Sequence, residues 1–98
     1  MAFRITWSAH AQSERKAVLR YWLKRNGSAT YSLKLDKRFR SALRIIARNP
    51  MIGRPTEMER VRMKLVGEYQ IYYTLKDRTI IVLSLWDGRQ DPERLNLV

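Results

Sequence analysis

Cysteine is absent from this sequence and histidine occurs once. Without a thiol there is no disulfide framework, no thiolate metal site and no cysteine nucleophile, a composition suited to a reducing cytosol. The lone imidazole, His10, has no second histidine at ligand spacing, and the acidic residues are scattered, so no metal or cofactor site is expected. His10 is expected to be an exposed residue in the first turn of a helix, without a catalytic partner nearby in sequence. Four isolated glycines form no phosphate-cradling loop. No stretch approaches the roughly 18 apolar residues of a membrane span. The opening MAFRITWSAH has no apolar core of the signal-peptide kind. The expectation is a soluble, cytoplasmic protein that does not engage membranes.

Acidic residues are scarce too: nine Asp and Glu face 20 Lys and Arg, a net charge of +11. Such an excess opposes compaction by self-repulsion unless a counter-charged partner sits nearby, and an acidic protein or a nucleic acid would serve. The charge is unevenly placed. Residues 8–49 hold eleven Lys or Arg against only Glu14 and Asp36, so +9 of the total lies there. The 98 residues make one domain, 1–98, which at this size buries only roughly 65% of its unfolded surface.

The residues present give a clear order of elements. Phe3, Ile5 and Trp7 alternate with Arg4 and Thr6, predicting a strand over Ala2–Trp7. Ser8 is placed to cap the helix that comes next, with Trp7 able to staple onto its first turn. Ala11, Val18, Tyr21 and Trp22 fall at helical spacing over Ala9–Arg25, and Asn26 and Gly27 end that helix, Gly27 as a left-handed cap. Ser28 is the expected N-cap of a second helix, about Ala29–Arg48, whose apolar stripe is Leu35, Phe39, Ala42, Leu43 and Ile46. Lys37, Arg40, Arg44 and Arg48 cluster on its opposite side. The helices should form an antiparallel hairpin.

Asn49 and Pro50 stop the second helix, and Met51–Arg60 reads as a loop. Three strands come after it: Val61–Leu65, Gln70–Lys76 and Thr79–Trp86, separated by turns at Gly67–Glu68 and Asp77–Arg78. The last, TIIVLSLW, is apolar on both faces and belongs inside the sheet. A two-residue first turn would set Lys64 opposite Ile71, mixing polar and apolar on one face, so a bulge or longer loop is expected there.

Several side chains could carry chemistry. The four cations on the second helix have no acidic partner one turn away among themselves, and so invite phosphates or an acidic protein as readily as water. Arg60, Arg62 and Lys64 recur at period 2 and would point one way on a regular strand, either to neutralise phosphate oxygens or to guard a sheet edge. Tyr69, Tyr72 and Tyr73 suit sheet packing, with Tyr69 and Tyr73 also candidates for display to a partner. Arg89 lies just past an interior strand, where loop residues are often functional; the plain alternative is a surface pair with Asp87 or Asp91.

A strand, a helical hairpin, a break at NPMIGRP, a strand with VRMKLVGEY, the IYY strand and a close at DGRQDPERL together resemble the RelE/ParE superfamily of toxins from type II toxin–antitoxin (plasmid stabilisation) modules. The resemblance spans nearly the whole chain. It implies an α+β fold of order β-α-α-β-β-β, with a small, mainly antiparallel twisted sheet packed on the N-terminal helical hairpin. It also implies a cognate acidic antitoxin that wraps the toxin in a hetero-oligomer. RelE-type members cut messenger RNA on the ribosome without a metal, whereas ParE-type members block DNA gyrase and are not nucleases. Arg62 and Lys64 match the basic pair of the RelE strand, and Arg89 matches the arginine at the end of the final strand. Gln70 and Asp87 depart from the pattern, because a RelE-type member keeps an arginine where Gln70 stands, against the scissile phosphate, and often a histidine where Asp87 stands. Losing one charge-assisted donor at such a position commonly lowers a rate on the order of 10²-fold. The resemblance therefore leans towards gyrase inhibition, with ribosome-dependent RNA cleavage as the alternative and a non-toxic basic binding module as a third reading.

Overall fold

Ser8 opens the first helix as the sequence predicts: its hydroxyl accepts from the Ala11 amide at 3.0 Å and satisfies one of the donors a helix start leaves free. The structure is a computed structural model and describes residues 2–90. Helix α1 runs over Ala9–Asn26 and ends on Gly27 at φ +67°, the left-handed conformation that glycine adopts without a Cβ penalty. Helix α2 covers Thr30–Arg48. Its N-cap is Ala29, which offers no side-chain acceptor, and not Ser28 as expected. Ser32 instead turns inward, donating to the Leu19 carbonyl at 2.7 Å and tying the two helices together.

Five strands form one sheet in the order β1-β5-β4-β3-β2. Strand β1 is Arg4–Trp7, β2 is Arg54–Pro55, β3 is Val61–Val66, β4 is Tyr69–Lys76 and β5 is Thr79–Asp87. The chain therefore adopts the α+β plan read from its sequence, with one addition: the two-residue β2 falls in a segment read as loop. Strand β5 is interior, as its double-sided apolarity requires, pairing parallel with β1 and antiparallel with β4.

The first hairpin corrects the expected register. Val66 pairs with Tyr69 across Gly67 and Glu68, Gly67 takes φ +59° as a two-residue hairpin turn demands, and Lys64 does sit opposite Ile71 with no bulge. The mixture is tolerated because a lysine stem can lie along apolar surface while its ammonium reaches solvent past the sheet edge. The irregularity is one strand further on, where Tyr72 pairs with Ser84 but Tyr73 with Val82. Leu83 is thus the extra residue.

Ile5, Trp7, Val66, Tyr69, Ile71, Tyr73, Ile80, Val82 and Leu85 share the face that packs against Leu35, Phe39, Ala42, Leu43 and Ile46 of α2 and against α1. Phe39 meets Tyr69 edge to face, with ring centroids 5.5 Å apart. Arg15 stacks over Trp7 at 4.7 Å and forms a two-pronged bond to Asp36, at 2.7 and 3.0 Å, joining β1, α1 and α2. No helix is long and apolar enough to cross a membrane among the described residues.

Candidate functional site

Strand β3 aims Arg62 and Lys64 at the helix-side face, in register with Tyr73 and Ile71. Gln70 pairs with Leu65 and Trp86 and so belongs to the opposite face. There its side-chain oxygen accepts from the Tyr72 hydroxyl at 2.8 Å. The position expected to touch a phosphate is thereby turned away from the basic pair. Arg60 leaves the series, because it sits in the turn before β3 at φ +66°. Only Arg62 and Lys64 keep the expected common direction.

Arg62 is committed to the fold. Its guanidinium donates to the Gly53 carbonyl at 2.7 Å and the Met51 carbonyl at 3.3 Å. The same loop is held from inside by Tyr73, whose hydroxyl donates to the Pro50 carbonyl and accepts from the Gly53 amide, at 2.8 and 2.9 Å. Loop 50–53 is thus clamped by one arginine and one phenol. Arg62→Ala should lower stability by about 1–2 kcal/mol through loss of a charged donor to two carbonyls. Thermal melting against wild type measures it, and an unchanged midpoint would count against the clamp.

Arg89 is also engaged. Nε and Nη2 donate to the two oxygens of Asp87, each at 2.9 Å, and the Arg89 amide donates to Oδ1 at 2.9 Å. The hydrogen bonds from Arg89 hold the Asp87 carboxyl below its usual range, and Asp87 in turn raises the Arg89 guanidinium, so both are charged at neutral pH. The alternative partner, Asp91, lies outside the described residues, as does the rest of the closing motif from that position on. Asp87 pairs with Tyr69 and Arg62 with Tyr73, four positions apart on β4. Asp87 and Arg62 therefore stand about 13 Å apart along the strand direction, at roughly 3.3 Å per residue, and the arginines border different grooves, Arg89 one with Trp22 and Tyr69 and Arg62 one with Met51 and Tyr73.

Tyr69 and Tyr73 are not displayed. Tyr69 and Tyr73 are 5% and 1% exposed. Tyr69 accepts from the Trp22 indole at 2.7 Å. Burial pushes its phenol up, only partly offset by that donation, and burial likewise raises Tyr72 and Tyr73. None offers a phenolate near neutral pH. This corrects the expectation that Tyr69 and Tyr73 face a partner.

His10 is exposed at the start of α1, but its Nε2 does have a neighbour, Glu14 Oε1, at 3.4 Å. That same oxygen accepts from the Ser84 hydroxyl at 2.8 Å and the Leu85 amide at 3.0 Å. Glu14 thus serves the backbone of β5 beyond the end of β1. Nothing of the sort was legible from its place in the sequence.

On α2, Lys37, Arg40, Arg44 and Arg48 are all exposed, as expected. Arg40 does have an acidic partner one turn away, Asp36 at 3.4 Å, which corrects the expectation that the stripe has none, and Arg44 donates to Ser41 at 3.1 Å. Lys37 instead borders a groove of about 590 Å³ between α2 and β3, together with Lys34, Arg38 and Lys64. Lys34 and Arg38 were missed in the sequence, although they stand one turn apart on a stripe that also holds the exposed Ile45.

Three solved structures share this architecture. A chain of the chromosomal ParDE toxin–antitoxin system from P. aeruginosa superposes with a TM-score of 0.74 at 18% identity, covering 86% of this chain and 94% of that one. The RelBE2 toxin–antitoxin complex from Mycobacterium tuberculosis gives 0.60 at 16% identity, covering 87% and 96%. The YoeB dimer from Staphylococcus aureus gives 0.53 at 24%, covering 86% and 94%. No curated protein matches the sequence. The fold and element order are those of the RelE/ParE superfamily of toxins. Residues 5–92 match the family described as the ParE toxin of the type II toxin–antitoxin system parDE, and the chain belongs to that family.

Proposed function

We propose that this ParE-family toxin arrests growth by inhibiting DNA gyrase, that it is not a nuclease, and that a cognate acidic antitoxin neutralises it. The observation that carries the choice of target is the dispersal of the residues a nuclease would gather. Arg62 is bound to two carbonyls, Arg89 is clasped by Asp87, and Gln70 faces away from both Arg62 and Lys64. Metal-free phosphoryl transfer depends on preorganised cations around one phosphate, and separated, already engaged cations supply little of that stabilisation. The family match and the resemblance to a ParDE chain agree with the gyrase reading, and the net charge of +11 suits an acidic antitoxin.

Purified toxin should abolish gyrase supercoiling while leaving messenger RNA intact in a translating extract. Cleavage of message at the ribosomal A site would overturn the proposal. Gln70→Arg sharpens the test. Because position 70 points to the face opposite Lys64, the new cation should produce no message cleavage; a gain of cleavage would show that the two faces act together.

A further inference from the structure

Helix α1 carries Tyr21, Trp22 and Arg25 on one face, and the packing of that face near the end of β5 sets them beside Tyr69, Asp87 and Arg89. Together they line a groove of about 470 Å³, a size at which small molecules are held. Trp22 meets Tyr21 edge to face, with ring centroids 5.1 Å apart. Tyr21 is 55% exposed, so this aromatic wall is open to solvent.

The groove holds donors that are unspent among the described residues. Tyr69 is buried, and burial keeps its phenol protonated. Its oxygen accepts from the Trp22 indole at 2.7 Å but its own hydrogen has no acceptor, whereas Tyr72 and Tyr73 donate to Gln70 and to the Pro50 carbonyl. A buried hydroxyl without an acceptor is uncommon and costly. Arg89 gives Nε and Nη2 to Asp87 and keeps Nη1. Arg25 forms no ion pair among the described residues. Two guanidiniums against one carboxylate leave the groove one positive charge in excess.

We propose that this groove binds a nucleoside monophosphate, with the base against the rings of Tyr21 and Trp22, the phosphate between Arg25 and Arg89, and Tyr69 donating to a phosphate oxygen. The donors enter from three places, α1, β4 and the segment after β5. A tetrahedral phosphate can accept from all three, whereas a carboxylate offers one flat pair of oxygens. The rings supply stacking for a base, which a bare anion leaves unused. One excess positive charge suits a single phosphate and not a strand, whose backbone calls for a row of cations. This site is separate from the choice of cellular target and does not rest on it.

Isothermal titration calorimetry of the full chain with adenosine and guanosine monophosphates tests the site, with ribose 5-phosphate and adenosine as the two halves of the ligand. Wild type should bind at least one monophosphate saturably and about tenfold more tightly than either half, since stacking and charged donors each contribute roughly a decade in Kd. Tyr21→Ser and Arg25→Gln, both at exposed positions, should each weaken the monophosphate by about tenfold. Tyr69→Phe, which keeps the ring and removes only the hydroxyl, should weaken it by about fivefold. Ribose 5-phosphate should be lost by Arg25→Gln and kept by Tyr21→Ser. Lys76→Gln removes the same charge as Arg25→Gln, at the other end of β4 from Tyr69, and should leave affinity unchanged. Circular dichroism checks that the variants fold. Absence of saturable binding, or unchanged binding by all three groove variants, overturns the proposal. So does ribose 5-phosphate that binds as tightly as the monophosphate, or an equal loss in Lys76→Gln and Arg25→Gln, since both mark unselective attraction of anions to a basic chain. A single-stranded oligonucleotide without a terminal phosphate that displaces the nucleotide overturns it as well, because that is the behaviour of a strand-binding surface.

Discussion

Phe39→Ala is expected to lower the unfolding free energy by about 3–5 kcal/mol, the range for truncating a buried aromatic. Phe39 is completely buried in the layer between α2 and the sheet, edge-on to Tyr69. A domain of this size has only about 5–15 kcal/mol in total, so the variant should be partly unfolded at 37 °C. Urea unfolding monitored by tryptophan fluorescence measures the difference. Leu33→Ala, on the exposed side of the same helix, should stay within about 0.5 kcal/mol of wild type. Equal losses for the two would mean that α2 does not pack as described.

The second large effect belongs to Glu14. Its Oε1 is the acceptor for both the buried Ser84 hydroxyl and the Leu85 amide, groups on β5 where β1 has already ended. Glu14→Ala strands two donors away from water and should cost about 2–4 kcal/mol, whereas Glu14→Gln keeps a carbonyl oxygen in place and should cost about 1 kcal/mol. Amide exchange at Leu85 should quicken far more in the alanine variant than in the glutamine one. If the two variants behave alike, the carboxyl is not the cap of this strand.

The comparison of Glu14 with Ser8 shows which parts of the molecule were legible in the sequence. Ser8, Gly27 and the Asn49–Pro50 stop act on their immediate neighbours, so residue type and spacing revealed them. Glu14 acts on residues seventy positions away, and no local pattern encodes that. Ser28 offered a capping side chain, but the turn runs one residue longer and sets Ala29 at the helix start. Lys64 opposite Ile71 looked like a conflict because alternation treats lysine as wholly polar, while its stem is apolar and the sheet edge is near. The bulge at Leu83 left no trace, since a strand apolar on both faces shows no slip in its period.

The candidate site divides along the same line. Residue types and the order of motifs were enough to bring the family within view. Arg62, Arg89 and Gln70 were the positions that the motifs singled out. The Arg89–Asp87 pair was among the readings the sequence offered, because the two stand two residues apart, whereas the engagement of Arg62 by Gly53 and of Gln70 by Tyr72 was hidden, because loop carbonyls and strand faces are set by the register. The groove cations come from α2 and β3, some thirty residues apart in the sequence, and only the packing of helix on strand brings them together.

The pairing of β1 with β5 also bears on how the protein is made. Arg4–Trp7 lies alongside Thr79–Val82, so the first strand synthesised must wait for the last before either completes its hydrogen bonds. Contacts that span most of a chain are closed late, because the entropy of the intervening loop is lost before they form. The helical hairpin, with its local contacts, can assemble while the polypeptide is still emerging. The sheet cannot close until β5 has been made, and a nascent toxin cut short before β5 would leave Ile5 and Trp7 without their neighbours. Closure of the sheet is thus gated by the emergence of β5, which delays the finished surface until about seventy residues after β1 have been synthesised.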